Sequence, residues 1–167
     1  MMKSKKRFSV PLMAGLILSA AGAAGFAQRH LMLANALRPL VKVQLAGAVE
    51  RQSGMVPLSK DIVVNPGEVV DWTIMSENDG NADALSYRTV AHIPHGTTFV
   101  ADSAKADGTV KAFYSIDGGK TFSTQPMIDE KQADGTVKRV PAPLSMFTEI
   151  RYEWADPLAQ GGKLSAS

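Results

Sequence analysis

Apolar and polar residues alternate along most of the chain after residue 36. Val70, Trp72 and Ile74 fall on one side of EVVDWTIMS, and the apolar residues of LSYRTVAHIP follow the same period of two. This period is typical of strands with one face against a core and one face in water. No stretch after residue 36 keeps the 3.6-residue period of an amphipathic helix. The pattern therefore predicts an all-β chain.

Turn-forming groups such as Asn-Pro-Gly and Asp-Gly separate these runs at short intervals. Between them we predict strands at about residues 40–50, 60–64, 68–77, 84–93, 97–104, 110–116, 120–124, 147–155 and a short last one at 163–167. Many short strands favour an antiparallel two-sheet sandwich over a barrel or an α/β fold. The longest connection, at about 125–146, is either a mobile loop or an extra hairpin through Asp134-Gly135.

The first 36 residues have the pattern of an export signal. A cationic start at residues 3–7 precedes an apolar run, and Ala34 and Ala36 in LANA satisfy the small-x-small rule for cleavage. We predict a helical signal peptide at 1–36, with cleavage after Ala27 as an alternative. An uncleaved membrane anchor also fits, because the run approaches the ~20 residues that span a bilayer. The protein would be exported to the periplasm, the cell surface or the medium.

Removing this leader reverses the sign of the net charge. Residues 37–167 carry 13 of the 18 Lys and Arg and all 16 Asp and Glu, a net charge of −3. No basic cluster with interleaved aromatic residues remains, so nothing favours nucleic acid as a partner. The chain has no cysteine, which excludes thiol catalysis and disulfides and favours a bacterial envelope or secreted protein. Residues 37–167 are enough for one β-sandwich domain.

The stretch YSIDGGKTF, residues 114–122, is the first that suggests chemistry. It fits the Ser-x-Asp-x-Gly-x-Thr-aromatic pattern of the Asp-box hairpins in sialidase-type propellers, where the carboxylate accepts backbone N–H groups inside the turn. Gly119 would supply the positive φ that the turn needs. A propeller requires several blades, each with its own copy, and this chain has one copy. We therefore interpret Asp117 as the corner of a hairpin.

Asp79, Asn81 and Asp83 alternate as oxygen ligands do at the start of a calcium loop. An EF-hand also needs Gly at the sixth position and Glu at the twelfth, where this chain has Ala84 and Val90. We expect a polar turn here, with a loose surface calcium site as the weaker alternative. We predict no other metal site and no cofactor.

Two further pairs of side chains are candidates for a catalytic or metal site. His92 and His95 flank Pro94, but no third His and no Cys exists after residue 36 to complete a zinc site. Glu149 and Glu153 share one face of a predicted strand at a spacing that could seat a glycosidase pair, although the wet face of a strand is the simpler interpretation. Without a Gly-x-Ser-x-Gly elbow either, we predict no enzyme.

Trp72 and Trp154 each fall on the apolar side of a predicted strand. We therefore expect both rings to anchor the core, where a tryptophan buries a large area. An exposed tryptophan would instead favour a sugar-stacking platform.

The motifs of residues 60–164 occur in an order that resembles a known family. In the first half these are Pro66-Gly67, Trp72, Asn78-x-Gly80, Pro94-x-Gly96 and Thr98-Phe99-Val100; in the second, YSIDGGKTF, Pro141-x-Pro143, TEIRYEW and PLAQGG. The order resembles the bacterial surface repeat called domain of unknown function 11. The resemblance implies an immunoglobulin-like sandwich on exported or cell-surface proteins, with no known catalytic residues. His92 departs from the Asp that members usually carry before the proline.

These observations predict a non-enzymatic, exported structural or protein-interaction module of the bacterial cell envelope or surface. The alternative is a module that binds a small ligand, either carbohydrate or calcium. A short last strand would leave part of its neighbour's edge unpaired, where another envelope or surface protein could add a strand. We expect structural roles for Trp72, Asn78, Gly80, Pro94, Asp117, Gly119 and Trp154.

Overall fold

The computed structural model describes residues 37–167. The predicted signal peptide and both of its cleavage sites lie outside these described residues. Within them, no helix has the length and apolar character required to cross a membrane. The elements are β1 (Val41–Arg51), β2 (Gly54–Pro57), β3 (Val70–Asn78), β4 (Arg88–His92), β5 (Val110–Ser115), β6 (Met127–Lys131), β7 (Val137–Pro141), a 3-10 helix (Leu144–Met146), β8 (Glu149–Trp154) and β9 (Lys163–Ala166).

All pairs of neighbouring strands are antiparallel, which confirms the all-β prediction. A four-stranded sheet has the order β2-β1-β3-β9, a three-stranded sheet has the order β4-β8-β5, and β6 and β7 form a separate hairpin. Arg51 pairs with Gly54 at the tight turn between β1 and β2, where Gly54 adopts a φ of 108°. Such a turn requires the positive φ that glycine tolerates.

The core is centred on β8. Its alternate residues Ile150, Tyr152 and Trp154 are buried and cluster with Ala166 of β9. β8 belongs to the three-stranded sheet and β9 to the four-stranded sheet, so both sheets contribute to one cluster. Partly buried apolar residues of β4, β5 and the loops surround it. Burial of each large side chain contributes roughly 1.5–3 kcal/mol.

Residues 60–64 form no strand, so that prediction is wrong. The Ile62 N–H donates to the Ser59 carbonyl oxygen at 3.2 Å in a turn. The guanidinium of Arg51 donates to the Val63 carbonyl oxygen at 2.8 Å. A turn and a side chain thus take the backbone bonds that a ladder would need. The hairpin partner of β1 is β2 instead.

Residues 97–104 are also not a strand. The Thr97 hydroxyl donates to the Pro94 carbonyl oxygen at 2.6 Å, and the Ser103 hydroxyl donates to the Val100 carbonyl oxygen at 2.8 Å. Side chains that bond their own backbone three residues back favour turns over ladders. Asp102 has a φ of 57°, which also interrupts an extended chain.

Two further predictions need correction at their boundaries, and the structure decides between the two alternatives for a third segment. Residues 120–124 contain only an isolated bridge from Ser123 to Tyr114. The strand predicted at 84–93 is shortened to β4, because Ser86 adopts a φ of 51° and leaves Ala84 in a separate bridge. The long connection at 125–146 contains the β6–β7 hairpin, which is the second of the two alternatives for that segment.

Candidate functional site

Asn78, at the end of β3, is fully buried and uses the whole hydrogen-bonding capacity of its amide. Its Oδ1 accepts the N–H groups of Leu40 at 3.0 Å and Gly80 at 3.1 Å. Its Nδ2 donates to the carbonyl oxygens of Ala82 at 2.8 Å and Leu158 at 3.0 Å. A side-chain amide offers two donors and two acceptor lone pairs. One side chain therefore connects the segment before β1, the loop after β3 and the loop before β9.

Gly80 lies where the segment before β1 passes close to the loop after β3. A Cβ at this position would collide with the backbone nitrogen of Leu40 and with the carbonyl of Arg38. The same segment receives the Asp79 N–H on the Leu40 carbonyl oxygen at 2.9 Å and the Asn81 N–H on the Arg38 carbonyl oxygen at 3.1 Å. The absence of a side chain at Gly80 permits this backbone pairing.

The three oxygen-bearing side chains of the calcium alternative bind separate partners within the protein. The contacts are Asp79 to Nζ of Lys42 at 2.5 Å, Asn81 Oδ1 to the Arg38 N–H at 2.8 Å, and Asp83 Oδ1 to the Gln160 N–H at 2.9 Å. In residues 37–167, no group of three or more acidic or histidine side chains is arranged to hold a metal ion. Each of the three loop side chains therefore contacts a different group of the protein.

Asp117 accepts hydrogen bonds inside the predicted hairpin corner. Thr121 donates its N–H to Oδ1 at 2.9 Å and its hydroxyl to Oδ2 at 2.7 Å, and the buried Ser115 hydroxyl donates to Oδ1 at 2.7 Å. These bonds, led by the Thr121 N–H, lower the pKa of Asp117 from 3.8 to about 2. Hydrogen bonds to a carboxylate favour its charged form. A carboxyl group with this pKa is a poor proton donor near neutral pH.

Gly119 follows in the same corner at a φ of 78°. A Cβ there would collide with the carboxylate of Glu149. The Gly119 N–H donates to the Ser115 hydroxyl oxygen at 2.9 Å. Positive φ and close approach both require glycine at this position.

Arg151 separates the two glutamates that share a face of β8. Its Nε lies 2.8 Å from Oε1 of Glu153. Its guanidinium carbon lies 4.3 Å from the ring centroid of Phe122 and 5.2 Å from that of Phe113. Glu149 is packed against the hairpin corner. The carboxylates of Glu149 and Glu153 therefore contact different neighbours.

The stack of Arg151 on Phe122 was not predicted from the sequence. The aromatic residue of the Asp-box pattern was visible, but its partner comes from β8, about thirty residues further along the chain. Charge and aromatic character were the only local signals for such a cation–π contact.

His92 and His95 lie beside one another on the surface. Their ring centroids are 5.7 Å apart in an edge-to-face arrangement. Between them, the Pro94 carbonyl oxygen accepts the Thr97 N–H at 3.1 Å and begins a turn. Among residues 37–167, no further acidic or histidine side chain completes a metal site with this pair.

The two tryptophans occupy different environments. Trp154 is 7% exposed, and its Nε1 donates to the Asp107 carbonyl oxygen at 2.8 Å. Trp72 is 38% exposed, so the expectation that it is a buried core anchor is wrong. It lies directly across from Gly47 on β1, and a Cβ on Gly47 would be 2.8 Å from its ring. Trp72 covers a glycine at the margin of the core.

The face of β1 next to Trp72 is apolar and exposed. Val43 is 56% exposed and Leu45 is 61% exposed. Their cross-strand partners are Ser76 and Ile74, so they lie on the core-facing side of the four-stranded sheet. Val49, on the same face of β1, is fully buried, so only the part of this face around Val43 and Leu45 is exposed. We refer to Val43, Leu45 and Trp72 as the β1 patch.

A shallow open cleft lies where β4 begins and β8 ends. Its volume is about 420 Å³, and it is lined by residues 85–88 together with Glu153, Trp154, Ala155 and Pro157. This volume falls within the range of roughly 300–1,000 Å³ that small-ligand sites occupy. Tyr87 and Trp154 are among its lining residues, with ring centroids 5.4 Å apart. Trp154 is buried and Tyr87 packs against the core cluster, so both rings lie mainly beneath the cleft.

Comparisons of the chain with protein-family models, with curated proteins and with solved structures find no match.

Proposed function

We propose that this protein is a non-enzymatic, exported structural or protein-interaction module of the bacterial cell envelope or surface. The proposed architecture is an immunoglobulin-like sandwich of the four-stranded and three-stranded sheets. The core cluster supports this architecture because it takes side chains from both sheets. The order of motifs that resembles domain of unknown function 11 supports the surface role.

One observation carries the proposal: the polar side chains that suggested chemistry are occupied within the fold. Asn78 makes four hydrogen bonds to backbone groups, and Asp117 accepts three inside one turn. The oxygens of the 79–83 loop bind three separate protein partners. Side chains that are hydrogen-bonded within the protein fix the conformation of its loops. A scaffold that presents a surface to a partner requires such fixed loops.

The partner we propose is another envelope or surface protein that adds a strand to this fold. β9 pairs with β3 only along Ile74–Glu77. Among residues 37–167, no strand lies on that side of Val70–Thr73. β2 likewise pairs with β1 only along Ala48–Arg51. Among residues 37–167, no strand lies on that side of the part of β1 that carries Val43 and Leu45, so these exposed residues offer an apolar surface to the side chains of an added strand. Strand addition combines backbone bonds with contacts to alternate side chains.

Fractionation of the producing cells, followed by N-terminal sequencing and intact mass, tests the export on which the proposal depends. We expect the protein in the periplasm, on the surface or in the medium, with its N-terminus at Leu37 or Gln28. A matched variant, Ala36→Leu, should block cleavage at the first of these sites. A full-length protein retained in the cytoplasm would refute the proposal.

The second candidate function is binding of a small ligand, which the aromatic cleft at Tyr87 and Trp154 favours. Thermal unfolding in the presence of oligosaccharides or Ca²⁺ distinguishes the two candidates. A ligand that binds only the folded state raises the melting temperature. An unchanged melting temperature supports the interaction module, and an increase that is lost on Tyr87→Ala supports the binding cleft.

A further inference from the structure

The β6–β7 hairpin is a two-stranded sheet that pairs with no other strand of residues 37–167. Its base is anchored by the buried residues Pro126 and Ala142, while most side chains further along both strands are exposed. An isolated two-stranded hairpin is marginally stable in water, and three or more strands are normally required. An additional strand on either edge would therefore stabilise it.

Half of the backbone groups in each strand point away from the hairpin. The Gln132 N–H donates to the Thr136 carbonyl oxygen at 2.8 Å, and the Ala142 N–H donates to the Pro126 carbonyl oxygen at 2.9 Å. Bonded and non-bonded pairs alternate along an antiparallel ladder, so the even-numbered positions bond across the hairpin. The odd-numbered positions point outward: Met127, Asp129 and Lys131 on β6, and Val137, Arg139 and Pro141 on β7.

The two edges carry complementary charges. β6 has the exposed carboxylates of Asp129 and Glu130, followed by Lys131, and β7 has the exposed cations of Lys138 and Arg139. Within the hairpin, Asp129 is paired with Arg139, and Glu130 with Lys138. Opposite charges in directly facing positions stabilise a pair of strands, and like charges destabilise it.

A second copy in the same orientation would place its β7 antiparallel to β6 of the first copy. The register found within the hairpin can then repeat between copies, so that Asp129 faces Arg139 and Glu130 faces Lys138 of the neighbour. The outward N–H and C=O groups of the odd-numbered positions would complete the new ladder. Pro141 has no N–H to donate and offers only its carbonyl oxygen.

We propose that the β6–β7 hairpin is a self-association element through which copies of this protein join edge to edge. Each contact uses the β6 edge of one copy and the β7 edge of the next. Such a head-to-tail contact leaves one free edge at each end of the assembly, so further copies can add. The inference goes beyond the proposed function, which concerns strand addition by a different protein.

A charge-swapped variant tests the contact while preserving the hairpin. Asp129→Lys, Glu130→Lys, Lys138→Glu and Arg139→Glu together keep opposite charges across the hairpin and leave the net charge unchanged. We expect the wild type and the swapped variant each to self-associate, measured as a weight-average mass that rises with concentration in sedimentation velocity. Mixed contacts between them should be at least about tenfold weaker, because like charges then face each other.

A backbone variant tests the ladder independently of charge. Val137→Pro removes an outward N–H and no bond within the hairpin, and Val137→Thr is the matched control that keeps the N–H. We expect the proline variant to remain a single chain and the threonine variant to associate like the wild type. Hydrogen exchange at the Gln132 and Ala142 amides shows whether the hairpin itself is intact in both.

A wild-type protein that stays monomeric at the highest concentration reached would overturn the inference. So would mixed assembly of wild type and swapped variant as tight as either alone, whatever the proline variant does. Neither result depends on cell fractionation. An exported protein that does not self-associate would therefore refute only this inference, and a cytoplasmic protein that does would refute only the proposed function.

Discussion

Replacement of Asn78 by alanine should be among the most damaging single changes to this fold. The side chain is fully buried and its four hydrogen bonds have lengths of 2.8–3.1 Å. A net contribution of about 1 kcal/mol per hydrogen bond predicts a loss of about 4 kcal/mol. Folded domains of ordinary size are stable by about 5–15 kcal/mol, so Asn78→Ala should remove a large share of the total.

Urea unfolding followed by tryptophan fluorescence measures this loss as a lower midpoint at an unchanged slope. Asn81→Ala is the matched control, because that side chain is exposed and accepts a single bond from the Arg38 N–H. We expect the control to lose less than about 1 kcal/mol, since water replaces an exposed bond. If Asn78→Ala were no less stable than Asn81→Ala, the assignment of Asn78 as the link between three segments would be wrong.

The remaining predictions concern one carboxylate, the two tryptophans and the β1 patch. Because the folded pKa of Asp117 is lowered to about 2 from 3.8, its carboxylate stabilises the fold above pH 3.8, and this contribution is lost as the pH falls through 2. The melting temperature of the wild type should therefore exceed that of Asp117→Asn at pH 7, and the two should converge near pH 2. A difference in melting temperature that stays constant with pH would contradict this prediction. Trp154→Ala should cost about 3–5 kcal/mol and Trp72→Ala clearly less, since Trp72 is 38% exposed; equal losses in urea unfolding would refute the difference in burial. Leu45→Lys should leave the melting temperature nearly unchanged and weaken capture of an added strand, and a large loss of stability would show that this part of β1 is covered.

The local sequence determined those elements whose signals lie within a few residues. Ile150, Tyr152 and Trp154 alternate in sequence and are buried in the same alternation in β8. The corner at Asp117 and the turn at Asp134-Gly135 also depend on neighbours within a few positions: Asp134 accepts the Thr136 N–H at 2.9 Å. Alternation and turn chemistry act over short distances, so the sequence shows them directly.

The local sequence did not show which distant segments these residues contact. Residues 60–64 have the composition of a strand, yet their backbone bonds go to a turn and to Arg51. Glu149 and Glu153 share one face of β8, yet Arg151 and the hairpin corner contact them separately. Each outcome depends on which distant segment packs against these residues, and residue spacing carries no information about such long-range contacts.

The two tryptophans show the difference between what local alternation predicts and what long-range contacts determine. Alternation placed both Trp72 and Trp154 on the core-facing side of their strands, and for each the side is correct. Trp154 is buried because β8 is the centre of the three-stranded sheet and faces the cluster with β9. Trp72 stays partly exposed, as do Val43 and Leu45, whereas Val49 and Ile74 on the same face of this sheet are buried. The local sequence indicates the side of a strand on which a residue lies, since the backbone pleat imposes a period of two. Whether that side is covered depends on contacts with segments distant in the sequence, and these are visible only in the folded chain.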